Sequence, residues 1–171
     1  MVLKVYMNLI SEPARAVAWL LKVKGVDYEH IDVPFGSEML KSEEFLKMNP
    51  NGLIPVIKDG DFSLFESNAI LTYLADKNGW EDVYPKNLEE RAKIHQYLHW
   101  HHANVRKFTH NIVVPFHNRS MGVATTEQLA LIGCSSQLVA KNSSLVDKFL
   151  GDKKYIATEE APSIADYAAY C

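Results

Sequence analysis

Cysteine is scarce in this chain. Cys134 and Cys171 are the two it has in 171 residues; they form no metal-binding or disulfide pattern and read as plain thiols. A basic excess is also missing. Eighteen Lys and Arg stand against 21 Asp and Glu, giving a net charge of −3 with no basic stripe, so neither nucleic acid nor an anionic membrane surface is an expected partner. No apolar run approaches the ~18 residues that a membrane span needs. The opening "MVLKVYMNLI" is too short and too polar-edged for a secretory leader. The expected setting is therefore cytoplasmic. Internal repeats and low-complexity segments are absent as well. What the chain does have is 47% hydrophobic residues, enough to bury a real core in one domain or two small ones.

Hydrophobic patterning divides the chain in two. "VLKVYM" is β-like, "SEPARAVAWLLKVKG" reads as a helix with Ser11 at its start and Gly25 at its end, and "YEHIDV" alternates like a strand. "SEMLKSEEFLKMN" has a helical pattern that Pro50 ends. "IPVIK" and "FSLF" read as strands joined at Asp59-Gly60, a pair suited to a type I′ hairpin, and "SNAILTYLADKNG" as a helix from Ser67 to a Gly79 cap. The order β-α-β-α-β-β-α begins with a βαβ unit, which requires parallel strands and a right-handed crossover. Beyond "GWEDVYP" the pattern is all-helical. "NLEERAKIHQYLHWHHANVRKF" opens with Asn87 and Glu90 at capping-box spacing, and a second long helix runs from a threonine cap to Gly151. The expected fold is α/β over residues 1–78, a linker over 79–88, and an all-α domain over 89–171.

In "APSIADYAAYC", Ser163 and Asp166 stand at capping-box spacing, with Ile164, Tyr167 and Ala168 as the expected buried side. Only eight residues follow Ser163, so the second domain is expected to be incomplete and to leave apolar surface uncovered. His95, His99 and His102 share a helical face, but no acid or cysteine completes a ligand set, and no metal is expected.

Three stretches carry a family resemblance: "LISEPARAVAWLLK", "EFLKMNPNGLIPVIKDGDFSLFESNAILTYLADK" and "PSIADY". The chain resembles the cytosolic glutathione transferases, most closely the theta class and related serine-type classes, over essentially its whole length. The resemblance implies a thioredoxin-like first domain, a helical second domain, a homodimer, glutathione as co-substrate and a small hydrophobic electrophile as second substrate. The implied reaction is attack by the glutathione thiolate, with peroxide reduction as a further use of it.

The resemblance also implies roles for residues. Glu66 and Ser67 take the γ-glutamyl end: the carboxylate sits at a helix N-terminus, and the ammonium beside an acid. By itself the pair reads first as a plain helix start, with Ser67 as N-cap and Glu66 as a favourable acid beside it. Pro55 is implied to be cis, turning the backbone of Ile54 toward the cysteinyl residue in strand-like recognition. Ser11 is the implied catalytic hydroxyl, with Tyr6 as a rival and a simple N-cap as the plainer reading. Lys41 is a candidate for the glycyl carboxylate. Leu53, where the theta pattern often has lysine, offers backbone contact only. Arg106 is assigned to the electrophile site. A second reading is a non-catalytic interaction domain, like the transferase-like domain of the elongation factor gamma subunit, which "FESNAI" also resembles.

Overall fold

A computed structural model describes residues 2–170. Its first half is a four-stranded sheet in the order β2-β1-β3-β4, made of β1 (Leu3–Met7), β2 (Tyr28–Asp32), β3 (Val56–Asp59) and β4 (Phe62–Phe65). β1 runs parallel to β2 and antiparallel to β3, and β3 is antiparallel to β4. The parallel pair is joined by α1 (Glu12–Val23), and α3 (Ser67–Asn78) follows β4. Alternation along β1 sends Val5 and Met7 into the core shared with α1 and α3. Tyr6 points to the other face and meets Phe45 of α2 (Glu43–Met48) edge-on at 6.0 Å.

Two local readings are corrected. The run 37–49 is not one helix: a 3₁₀ turn (Glu38–Lys41) and α2 are separated by Ser42, whose hydroxyl accepts from the Phe45 N–H and starts a new helix. The β3–β4 turn pairs Asp59 with Phe62 around Gly60-Asp61. Gly60 has φ 65° while Asp61 stays out of the positive region, the sign pattern of a II′ rather than an I′ turn.

The second half contains α4 (Leu88–Ala103), a π-helical turn (Thr109–Val113), α5 (Val114–Ser120), α6 (Thr126–Leu150) and α7 (Ile164–Ala169). Asn87 caps α4 by accepting from the N–H groups of Glu89 and Glu90. The helix stops at Ala103, short of the expected run to Phe108. In α7 burial runs all round the helix rather than along one side: Ile164, Ala165, Asp166, Tyr167 and Ala168 are all buried. The Asp166 carboxylate accepts from the Ser163 N–H (2.8 Å), the Ser163 hydroxyl (2.9 Å) and the Ile156 N–H (2.9 Å). One apolar cluster joins the sheet, α1 and α3 to Val83, Tyr84, α4 and α7. Cys134 is exposed and free, whereas Cys171 lies outside the described residues.

Candidate functional site

The site lies where the β3 loop and the starts of α1 and α3 face the end of α4. The loop before β3 is built first. Asn49 is buried; its amide donates to the Leu53 carbonyl (2.7 Å), and its Oδ1 accepts from the Asn51 N–H (3.0 Å). Gly52 has φ 62°, and a Cβ there would lie 2.8 Å from the Leu40 carbonyl oxygen, so only glycine lets the loop settle. The Ile54–Pro55 peptide that follows is cis. The β1–β3 ladder reaches Val56, opposite Tyr6, and leaves the N–H and C=O of Ile54 outside it.

At the end of β4 the backbone turns sharply. Glu66 occupies the N-cap of α3 with φ 70° and ψ 110°, a conformation that costs a side-chain-bearing residue on the order of 1–3 kcal/mol. Ser67 is the first helical residue, not the cap. The first intrahelical bond of α3 runs from the Ile70 N–H to the Glu66 carbonyl, so the N–H groups of Ser67, Asn68 and Ala69 have no acceptor within the helix. The Glu66 carboxylate lies 3.9 Å from His102 Nδ1.

The third component is the start of α1. The Ser11 N–H donates to the Asn8 carbonyl (3.0 Å), and Arg15 braces the same loop by donating to the carbonyls of Leu9 (3.1 Å) and Ile10 (3.0 Å). Ser11 is buried at the N-cap, and its hydroxyl makes no cap bond. Next to it, the half-buried Glu12 carboxylate accepts from Arg106 (3.2 Å) and from the Thr109 hydroxyl (3.0 Å), tying α1 to the residues after α4.

Two adjoining cavities result. The first, about 240 Å³, has one wall of Asn49, Asn51, Leu53, Ile54 and Pro55 with Glu66 and Ser67, and an opposite wall of His102, Arg106, Lys107 and His110. The second, about 310 Å³ and more apolar, lies between Glu12, Pro13 and Ala16 of α1, His101 of α4 with Val105, Arg106, Phe108 and Thr109 of the segment after it, and Ala168 to Tyr170. Pro13, Ser67 and Arg106 border both. His101, buried in the wall of the second, is held down to about 4 from 6.5 by burial and then by the charges of Arg106 and His102. Its Nδ1 has no hydrogen-bond partner among the described residues.

Of the residues singled out in the sequence, Leu53, Ile54, Pro55, Glu66, Ser67 and Arg106 thus meet around one cavity. Ser11 lines neither, but directly precedes Glu12 and Pro13, which do. Lys41 also lines neither; its ammonium is 2.9 Å from Glu38. Tyr6 lines neither and packs on Phe45. His95 accepts or donates at 2.6 Å to the Tyr84 hydroxyl, and no group of three or more metal-ligating side chains is assembled among the described residues. Sequence reasoning missed Glu12, His101, Thr109, Lys107 and His110. Only the clustering of the last four after Trp100 marked their segment, and a polar run of that kind reads first as a solvated helix face; nothing marked Glu12.

Known proteins resemble the chain in both sequence and fold. Residues 1–76 match the family described as glutathione S-transferase, N-terminal domain. Glutathione S-transferase T1 of Arabidopsis thaliana is 36% identical over 100% of this chain and 71% of its own length. Human glutathione S-transferase theta-2 is 35% identical over 98% of this chain and 68% of its own length. A crystal structure of human glutathione transferase theta-2, in complex with glutathione and an unknown ligand, superposes with a TM-score of 0.84 at 33% identity, covering 98% of this chain and 69% of that one.

Proposed function

The chain belongs to the theta-class glutathione S-transferases, and from that premise we propose that it binds glutathione along the Asn49–Ser67 wall and activates its thiol for attack on small apolar electrophiles. The observation that carries this reading is the convergence of two backbone features and one side chain on one cavity of about 240 Å³: the free start of α3, the unladdered backbone of Ile54, and the Glu66 carboxylate. They suit, in order, the γ-glutamyl carboxylate, the cysteinyl amide and the α-ammonium. Because the relatives are transferases, this reading stands ahead of a non-catalytic interaction domain.

Chemistry requires a thiolate. A free thiol with a pKa near ~8.5 is only a few per cent ionised at neutral pH. Lowering that value by ~2 units requires about 2.7 kcal/mol of preference for the anion. A hydrogen bond from the Ser11 hydroxyl to sulfur, on the order of 1.5–3 kcal/mol, plus the α1 N-terminus, up to about 1 kcal/mol, covers that requirement. The Ser11 hydroxyl, which is not taken up in a cap bond to α1, supports this role. Arg106 acts by neutralising Glu12, an anion that would otherwise oppose the thiolate. The thiol proton leaves to solvent. The sulfur lone pair then forms the new C–S bond, and the displaced electron pair departs with the leaving group or, in an addition, comes to rest on an atom that takes a proton. The second cavity, largely apolar, suits the electrophile. A homodimer and a cytoplasmic setting belong to the same reading and rest on family membership.

Retention on glutathione-agarose, followed by a conjugation assay on the eluted protein, tests the proposal. Binding with turnover is expected. Binding without turnover would support an interaction domain, and no binding would remove the glutathione reading.

A further inference from the structure

The second cavity is largely apolar, yet one polar ring is built into its wall. His101 is 5% exposed and sits one turn beyond Tyr97 on α4, with the two rings 5.8 Å apart. Among the described residues its side chain makes no hydrogen bond: Nδ1 is sealed from solvent without a partner, and Nε2 is unpartnered but not sealed. Around the same cavity, Thr109 and Arg106 donate to Glu12 (3.0 and 3.2 Å) and the Asn68 amide donates to the Leu98 carbonyl (3.1 Å). His101 differs from all three. Folding has taken it out of water and supplied no partner in exchange, a state that native interiors rarely leave standing. The ring is neutral at pH 7, since burial and then the charges of Arg106 and His102 hold it down to about 4. An orphaned buried N–H is rarer than an orphaned acceptor, so the proton belongs on Nε2 and the lone pair on the sealed Nδ1.

We propose that His101 is a specificity-determining residue of the second cavity, where its Nε2–H donates to an uncharged acceptor oxygen, such as that of a ketone or aldehyde, on an otherwise apolar electrophile. This rests on the glutathione reading above and names the class of electrophile that the site selects. The ring is desolvated before the substrate arrives, so only the substrate oxygen gives up water, and the bond forms in a low-dielectric wall where it is stronger than at a wet surface. An analogue with a carbon group in place of that oxygen leaves the N–H unmatched and is disfavoured.

Product analogues test this without turnover. The probes are S-oxoalkylglutathiones with the ketone moved stepwise along the chain, each paired with a methylene analogue in which C=CH₂ replaces C=O, and S-methylglutathione as the reference. Calorimetry is run on wild type, His101→Leu and His101→Gln. In wild type the ketone is expected to bind about 2- to 10-fold more tightly than its methylene partner at one or more chain positions, the range of one net hydrogen bond. His101→Leu should abolish that preference, and His101→Gln, which still donates an N–H, should keep it. No preference at any position in wild type, a preference that survives His101→Leu, or one that is lost in His101→Gln would each overturn the assignment. Should His101→Leu fail to fold, the wild-type and His101→Gln ratios still decide it. Wild-type protein that binds neither S-methylglutathione nor any conjugate would remove the glutathione reading itself, a different and recognisable result.

Discussion

α1 and α6 are held in opposite ways. α1 has 12 residues and buries five of them, Ala14, Ala16, Val17, Leu20 and Leu21, against the sheet, α3 and α7. α6 has 25 described residues, of which only Asn142 is buried, and leaves Leu129, Leu131 and Val139 exposed. What α6 has instead is local: a reciprocal capping box between Thr125 and Gln128 at one end and Gly151 at the other. One helix is held along most of its length by what covers it; the other is covered more thinly, chiefly near its end, where Phe149 packs on Tyr97 (5.4 Å) and Trp100 (4.9 Å). The candidate site is anchored to the first kind of structure, since the start of α1 carries Ser11 and that of α3 carries Ser67.

The sharpest way to break this contrast is a matched pair of truncations. Leu20→Ala, at a fully buried position, is expected to cost about 2–5 kcal/mol, while Leu129→Ala, at 49% exposure, should cost no more than ~0.5 kcal/mol. Denaturant melts measure both. Comparable losses would mean that α6 is as firmly packed as α1.

A pH profile tests the wall between the halves. In the folded chain His101 takes its proton only near 4, against 6.5 when unperturbed. Above about 6.5 neither state is protonated and His101 leaves stability unaffected. As pH falls toward 4 the unfolded chain binds the proton first, and stability drops by up to about 3 kcal/mol. His101→Gln should remove that part of the acid sensitivity, so its stability profile is flatter than wild type below about pH 6.5. Parallel profiles would refute the assignment.

Next in size is ligand affinity. Glu66→Ala is expected to weaken glutathione by about 1.5–3 kcal/mol, the scale of a lost charge-assisted contact. The melting midpoint should barely change, because the positive φ and the exposed position are retained. Calorimetry showing unaltered affinity would dissociate Glu66 from the ligand. A smaller effect belongs to Arg106→Gln, which leaves the half-buried Glu12 without its ion pair. About 1 kcal/mol of stability should be lost, and the bound thiol should ionise at higher pH.

The same contrast explains what could be read from the sequence. Signals that act within a few residues were legible: the Thr125 and Asn87 caps, Gly79 and Gly151, and the alternation in β1. The break at Ser42 was not, because one cap residue inside a helix-periodic run decides between one helix and two. The segment after Ala103 was also obscure. Its π-turn and α5 are rich in His and Asn, although Pro115 in the first turn of α5 is a start signal that could have marked it. At the site, the β3 loop and the Glu66-Ser67 junction were recognisable because they form one continuous stretch of chain. The facing wall of Lys107 and His110, and the Glu12–Arg106 pair across 94 positions, arise from tertiary packing and leave no local trace.

The central claim is that Ser11 ionises the bound thiol. Titrating the thiolate absorbance of the glutathione complex, in wild type and Ser11→Ala, tests it most directly. The account predicts a wild-type midpoint about 2 units below the ~8.5 of a free thiol, and a midpoint at least about 1 unit higher in Ser11→Ala, with glutathione affinity nearly unchanged. Identical midpoints in the two proteins would contradict it and leave the start of α1, rather than the hydroxyl, as the source of activation.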